Sequence, residues 1–320
     1  MTTESNTSAP KAADLAYLRF EAPDLGLMES FLSDFGLHVS KGESASGKPA
    51  LYSRGTDGDP FLHEVVEAEQ PRFVGMGFIM SSAADLDVLA GMDGTTGIET
   101  ANTPGGGQRV RFVDPQGFEV DAVFGWDEVE KWSPPQRVPV NSGENRARQG
   151  VPVRLKPGPS HVKRLGHIVV FVNDFVTSEA WYKERFGFRT TDEIWMEQET
   201  NIIGAFLRCD RGDVPTDHHS LFLIGNPEKG GELQHAAFEV NDWDDVLLGH
   251  DYLTNKNYKP QWGIGKHILG SQVFDYWHDP YGHILEHFSD GDLFDASKPK
   301  ELHSIDTLRG VQWGPTFPDA

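Results

Sequence analysis

The sequence predicts an α+β fold of tandem βαβββ modules, paired into two domains. Three internal repeats predict it. LAYLRFEAPDLGLMESFLSDFGLHV (15–39) parallels LGHIVVFVNDFVTSEAWYKERFGFRT (165–190). FVGMGFIM (73–80) parallels LQHAAFEV (233–240), and VRFVDPQGFEVDAVF (110–124) parallels FDYWHDPYGHILEHF (274–288).

Each half opens with an apolar strand, an Asp-containing turn and an amphipathic helix with an aromatic on its inner face. A Phe-Gly pair at 35–36 and at 186–187 stops that helix. The middle strand of each half precedes a second helical segment with acidic residues near its start, which suits a helix N-terminus. The last repeat reads as a β-hairpin. In Asp279-Pro280-Tyr281-Gly282, Asp opens the turn, Pro presets φ and Gly tolerates positive φ. On its second arm Ile284, Glu286 and Phe288 share one face, which sets a carboxylate between two apolar residues. Between the halves, KWSPPQRVPVNSGENRARQGVPVRLKPGPSHVKR is rich in Pro, Gly and basic residues and reads as a linker or strap. The expected boundaries are a disordered N-terminal tail at 1–13, a non-catalytic domain at 14–130 and the strap at 131–163. A catalytic domain at 164–292 and a tail over its site at 293–320 complete the chain.

With 320 residues, 38% apolar and 11% aromatic, the chain can bury two cores of ordinary size. No apolar run approaches the roughly 20 residues that span a bilayer, and no stretch resembles a signal peptide. Cys209 is the only cysteine, so no intrachain disulfide forms, and a cytoplasmic location is expected. Lys and Arg total 28 against 49 Asp and Glu, a net charge of −21 that repels phosphate backbones. Neither nucleic acid nor an anionic membrane is an expected partner.

Comparing the halves isolates the chemistry. His167 stands where the first half has Tyr17, His235 where it has Gly75, and Glu286 where it has Asp121. A bare scaffold needs none of the three. Two neutral imidazoles and a carboxylate make a facial triad that suits non-haem Fe(II) and leaves positions open. Coordination would also explain the apolar setting of Glu286, because a buried carboxylate is tolerable on a metal.

The residues from Gly265 to Asp290 run G-K-H-x-x-G-x-x-x-F-x-Y-x-x-D-P-x-G-x-x-x-E-x-x-x-D, with His267, Tyr276 and Glu286 nine and ten apart. With His167, His235 and DHHSLFL (217–223), this resembles the type I extradiol ring-cleaving catechol dioxygenases of the vicinal oxygen chelate superfamily. The resemblance spans roughly residues 14–292. It implies a half-open barrel from each pair of modules, and meta-cleavage of a substituted catechol next to its two hydroxyls in bacterial aromatic catabolism. It implies Fe(II), with Mn(II) also suited to the triad, and O2 as co-substrate. His219 is the better match to the family's acid–base histidine, with His218 on the opposite strand face as the alternative. His267 would hydrogen-bond a substrate oxygen, and Tyr276 would sit by the phenolate. A cytoplasmic homo-oligomer, a tetramer for preference, is also implied.

Members acting on carboxylated catechols carry an arginine five residues before the loop histidine and an asparagine two after the first metal histidine. Here those places hold Trp262 and Val169, which favours an alkyl, aryl or otherwise uncharged substituent. Arg309 in the tail could still bring a positive charge over the site. Two other readings compete: a glyoxalase- or epimerase-like metalloenzyme that uses no oxygen, and a small-molecule sequestering protein. The first leaves His219, His267 and Tyr276 without a role, and the second needs no metal triad.

Overall fold

The computed structural model of the chain describes residues 9–134, 137 and 139–318. The first half runs β1 (Ala12–Ala22), α1 (Leu25–Phe35), β2 (His38–Glu43), β3 (Pro49–Arg54), β4 (His63–Glu67), then β5 (Arg72–Met80), α2 (Ala83–Ala90), β6 (Glu99–Thr100), β7 (Gln108–Val113) and β8 (Glu119–Phe124). These strands form one sheet in the order β2-β3-β4-β1-β5-β8-β7-β6. Each βαβββ module contributes four neighbours, and the two modules meet where β1 pairs antiparallel with β5. The expected tail at 1–13 lies outside the described residues up to residue 8, and at its other end β1 already begins at Ala12.

The second half repeats the plan with β9 (Val162–Val172), α3 (Phe175–Phe186), β10 (Arg189–Met196), β11 (Gln198–Arg208), β12 (Thr216–Asp217), β13 (Leu221–Gly225), β14 (Leu233–Val240), α4 (Trp243–Asn255), β15 (Pro260–His267), β16 (Val273–His278) and β17 (Ile284–Ser289). Downstream come β18 (Leu293–Phe294), β19 (Glu301–Ser304), α5 (Ile305–Arg309) and β20 (Val311–Trp313). The sheet order is β19-β10-β11-β13-β9-β14-β17-β16-β15-β20. Residues 293–320, expected as a tail, thus supply a strand to each edge of this sheet.

Local chemistry sets the elements. Asp24 caps α1 by accepting from the amides of Gly26 and Leu27, and Asp174 caps α3 through the Thr177 amide. Both helices end on a glycine in the left-handed region, Gly36 at φ 107° and Gly187 at φ 61°. The 279–282 turn closes as its residues dictate. Asp279 Oδ1 accepts from the amides of Tyr281 and His283 at 2.8 and 2.9 Å, and Gly282 takes φ 92°. That turn sets the register of β16 on β17, with Tyr276 opposite Glu286. In the first half Asp114 does the same for Gln116 and Phe118.

One apolar core runs through both halves. The helices of one half pack on the other: Phe35 of α1 stacks on His287 at 3.8 Å, and Phe186 of α3 lies 4.8 Å from Phe78. His287 Nε2 contacts the Phe35 carbonyl at 2.7 Å, and Tyr182 donates to Asp114 at 2.8 Å. The strap, expected at 131–163, has no regular element among its described residues up to His161, and β9 takes over at Val162; it is anchored, with Arg137 2.8 Å from Asp242 and the His161 amide donating to Asp245.

Candidate metal centre

Sheet register gathers the three residues. β9 runs antiparallel to β14, which sets His167 opposite Ala237 and Val169 opposite His235. β17 runs parallel on the other side of β14, with Glu286 beside Ala237. All three side chains therefore rise from one face of three adjacent strands. His235 Nε2 lies 3.3 Å from His167 Nε2, and Glu286 Oε2 lies 3.2 Å from His235 Nε2 and 3.3 Å from His167 Nε2. The three are 3%, 8% and 0% exposed, in the order His167, His235, Glu286.

These residues fit a divalent cation. Neither carboxylate oxygen of Glu286 has a hydrogen-bond partner although both are buried, an arrangement that is expensive unless a cation takes them. Donor atoms a little over 3 Å apart match adjacent corners of an octahedron with bonds slightly longer than about 2 Å. Burial alone would raise the Glu286 carboxyl, but His167 and His235 outweigh it and hold it well below the usual carboxylate range. Burial pushes His235 below the usual histidine value, so it is the neutral, ligating form that the site favours. Gln234 Oε1 contacts His235 Nδ1, which orients the ring with Nε2 inward.

The other expected residues surround this triangle. The His219 ring is 4.1 Å from that of His167. Its Nδ1 is 3.0 Å from His218 Nδ1, and His218 Nε2 is 2.8 Å from Asp192 Oδ2. His218 thus turns toward Asp192, while His219 lies beside the triangle. Burial, followed by the charges of His167 and His218, pushes His219 well below its usual value. His267 Nε2 is 2.9 Å from the Tyr276 hydroxyl and 3.9 Å from Glu286 Oε1, and burial brings its pKa down to about 4. His267 is the last residue of β15, so the Gly-rich WGIGKHILG is strand up to that point rather than loop. The Tyr276 hydroxyl is pushed well above the usual range by burial and by the negative charge of Glu286.

Apolar walls flank these groups. Val169, Ile194, Phe206 and Phe222 form one cluster, against which Ile305 and Leu308 of α5 pack. Trp262, Phe274 and Tyr276 form the other, with Trp262 stacked on Tyr276 at 5.5 Å. Trp262 donates to the Pro315 carbonyl at 3.1 Å, and its ring lies 5.1 Å from Phe317. Arg309 is exposed at the end of α5. Asp192, Ile305 and Leu308 had no mark in the sequence, since an aspartate in a strand and one short helical turn carry no distinguishing period.

The profile of the Glyoxalase/Bleomycin resistance protein/Dioxygenase superfamily matches residues 164–287, the segment that holds all three triad residues. Metapyrocatechase 2 of Cupriavidus necator is 28% identical over 305 residues, covering 93% of this chain and 88% of its own. The iron-dependent extradiol dioxygenase of Rhodococcus jostii (strain RHA1) is 27% identical over 293 residues, covering 87% and 89%. Among solved structures, the Mn(II)-bound glyoxalase from Novosphingobium aromaticivorans superposes with a TM-score of 0.77 at 21% identity, over 97% of this chain and 93% of that one. That last likeness concerns the fold. Residues 164–287 thus match the glyoxalase/bleomycin resistance protein/dioxygenase superfamily, and the sequence relatives that span most of this chain, at 27–28% identity, are a metapyrocatechase and an extradiol dioxygenase.

Proposed function

We propose that this protein opens the ring of a substituted catechol beside its two hydroxyls, with O2 as co-substrate, as a step in bacterial breakdown of aromatic compounds. The observation that carries the reading is the buried His167–His235–Glu286 triangle with two unpartnered carboxylate oxygens. Fe(II) is our assignment for the triangle, and Mn(II) suits the same donors. When bound, such an ion supplies a Lewis-acidic, redox-active centre at which a catecholate and O2 can be held side by side.

The chain's own residues do the rest. His219 holds a neutral imidazole beside the triangle, and with Nδ1 turned to His218 its Nε2 is free to take a proton from a substrate hydroxyl and return it to oxygen. Asp192 orients His218 and thereby the tautomer of His219. The Tyr276 hydroxyl stays protonated and offers a hydrogen bond to a substrate oxygen, with His267 as its partner. The two apolar clusters exclude water and receive the ring substituent. We further propose a cytoplasmic homo-tetramer, which gel filtration with light scattering would check.

Substrate preference tests the pocket. With Fe(II)-loaded protein, 3- and 4-alkylcatechols and a dihydroxybiphenyl should show kcat/KM well above that of a carboxymethyl catechol, because Trp262 and Val169 offer no partner to a carboxylate. A preference for the charged substrate would overturn the apolar reading. Reconstitution with Mn(II) in place of Fe(II), followed by the same assay, ranks the two metals.

A further inference from the structure

The first half keeps the concave face that carries the triad in the second, but lines it with arginines. Register makes the correspondence: Tyr17 lies opposite Gly77 with Asp121 beside it, as His167 lies opposite Ala237 with Glu286 beside it. Arg111 faces Asp121 across the β7–β8 hairpin, where Tyr276 faces Glu286 in the second half. Here Tyr17 donates to Asp121 at 2.7 Å, so the triad position is closed by a hydrogen bond.

A cavity of about 500 Å³ opens on this face. Five basic and four acidic side chains line it, in a chain where acids outnumber bases 49 to 28. Three of the bases, Arg19, Arg109 and Arg111, have a buried Nε without a hydrogen-bond partner, and of these only Arg19 is otherwise closely paired, with Glu119 at 3.0 Å and Asp121 at 3.4 Å. Arg109 is 5% exposed, and its Nε has no hydrogen-bond partner. Its nearest carboxylate oxygens, on Glu99 and Asp121, are 3.5 and 3.9 Å away. The Arg111 Nε is also buried without a partner, 3.6 Å from the same Glu99 oxygen. Standing two apart on β7, both side chains face the same way. Asp121 is 3.9 Å from each of the two and already engaged by Tyr17 and Arg19, so it and the half-exposed Glu99 leave both guanidinium forks, each shaped to grip a carboxylate through two parallel bonds, without close partners. Buried donors left in that state are costly unless a ligand takes them.

We propose that this face is a second ligand site, metal-free and separate from the catalytic centre, for a small polar organic acid whose carboxylate seats between Arg109 and Arg111. Glu99 is its internal competitor, holding the guanidiniums loosely until the acid displaces it. The mainly polar lining, with Ser44, Asn102 and Thr103 at the cavity wall, selects an acid with further hydroxyl or carboxylate groups over a greasy one.

Calorimetric titration of the full-length, metal-loaded chain with acetate, glutarate and benzoate, beside glutaramide, tests this. Glutarate should bind saturably with a Kd below about 1 mM, and glutaramide should not bind. Arg111→Gln and Arg109→Lys should each weaken glutarate by about tenfold or more, whereas Glu99→Gln should tighten it. The tightening is a signature that a merely structural arginine cluster would not produce, and it stands even where Arg109→Lys fails to fold. The proposal is overturned by no binding of any of the three acids, by equal binding of the diamide, or by affinities that the Arg111→Gln and Glu99→Gln variants leave unchanged.

Discussion

Glu286 is the residue on which the second half turns. It lies at 0% exposure between Ile284 and Phe288 on its strand face, with no hydrogen-bond donor to either oxygen. Neutral imidazoles form no ion pair with it and cannot repay its desolvation, so a cation has to. His235→Ala and Glu286→Gln should therefore each lose bound metal, measured by elemental analysis after anaerobic loading, and reduce turnover to background. His219→Gln should keep the metal and lower kcat by about 10²- to 10⁴-fold, the usual worth of a positioned acid–base group. Asp192→Asn should cost less, roughly 10- to 100-fold, since it acts through His218. It should also shift the pH profile of kcat, which simple loss of packing would not do. His167, His235 and Glu286 could be picked from the sequence because the duplication supplies an internal control: the first half shows what the scaffold needs when those places hold Tyr17, Gly75 and Asp121. Asp192 could not, because its role exists only once β10 is laid near the 217–219 segment.

At the scale of elements, the hairpin was legible and the C-terminal segment was not. Asp-Pro-x-Gly dictates the turn, and the turn dictates that Tyr276 faces Glu286. By contrast β19, α5 and β20 are too short for any hydrophobic period to show. Their placement depends on two open sheet edges formed far away in sequence. β20 pairs with β15 at His267 and Lys266, and the Gln312 side chain donates to the His267 carbonyl at 2.8 Å. β19 pairs with β10 beside Asp192. Removing residues 303–320 would thus bare an edge next to His267 and strip Ile305 and Leu308 from the wall of the site. The expected result is a raised KM for alkylcatechols and a lower melting temperature, with metal content retained. Leu308→Ala alone should raise that KM several-fold, in line with about 1–2 kcal/mol of apolar contact. An unchanged KM in both variants would show that this segment does not wall the site.

At the scale of the molecule, two buried histidines outside the candidate metal centre, His63 and His287, tie stability to pH. His63 stacks on Phe20 at 4.5 Å near Phe238 of the second half, has neither ring nitrogen partnered, and is pushed down to about 3 by burial. His287, against Phe35, is brought down to about 4, again chiefly by burial. In both, the unfolded chain takes up a proton near 6.5 while the folded chain resists it to lower pH. Stability is therefore intact above about pH 6.5 and falls as pH drops toward 4, with a slope approaching about 1.4 kcal/mol per pH unit for each residue. Urea melts between pH 4.5 and 7.5 should show this fall, and His63→Phe should flatten it. A slope unchanged in that variant would remove His63 from the explanation. No helix of the described residues is long and apolar enough to cross a membrane, and the charge of −21 keeps the chain away from polyanions. What the two halves share is the sheet of paired βαβββ modules, and what separates them is a candidate metal triad in one and an arginine face in the other. Oxygen consumption by anaerobically purified, Fe(II)-loaded protein with a 4-alkylcatechol, beside His235→Ala, tests the catalytic half most directly. One O2 taken up per catechol, with a yellow ring-opened product and neither in the variant, is the predicted result. No uptake with one iron bound per chain, for this and for 3-alkyl and biphenyl catechols, would contradict it and turn the triad toward chemistry that uses no oxygen.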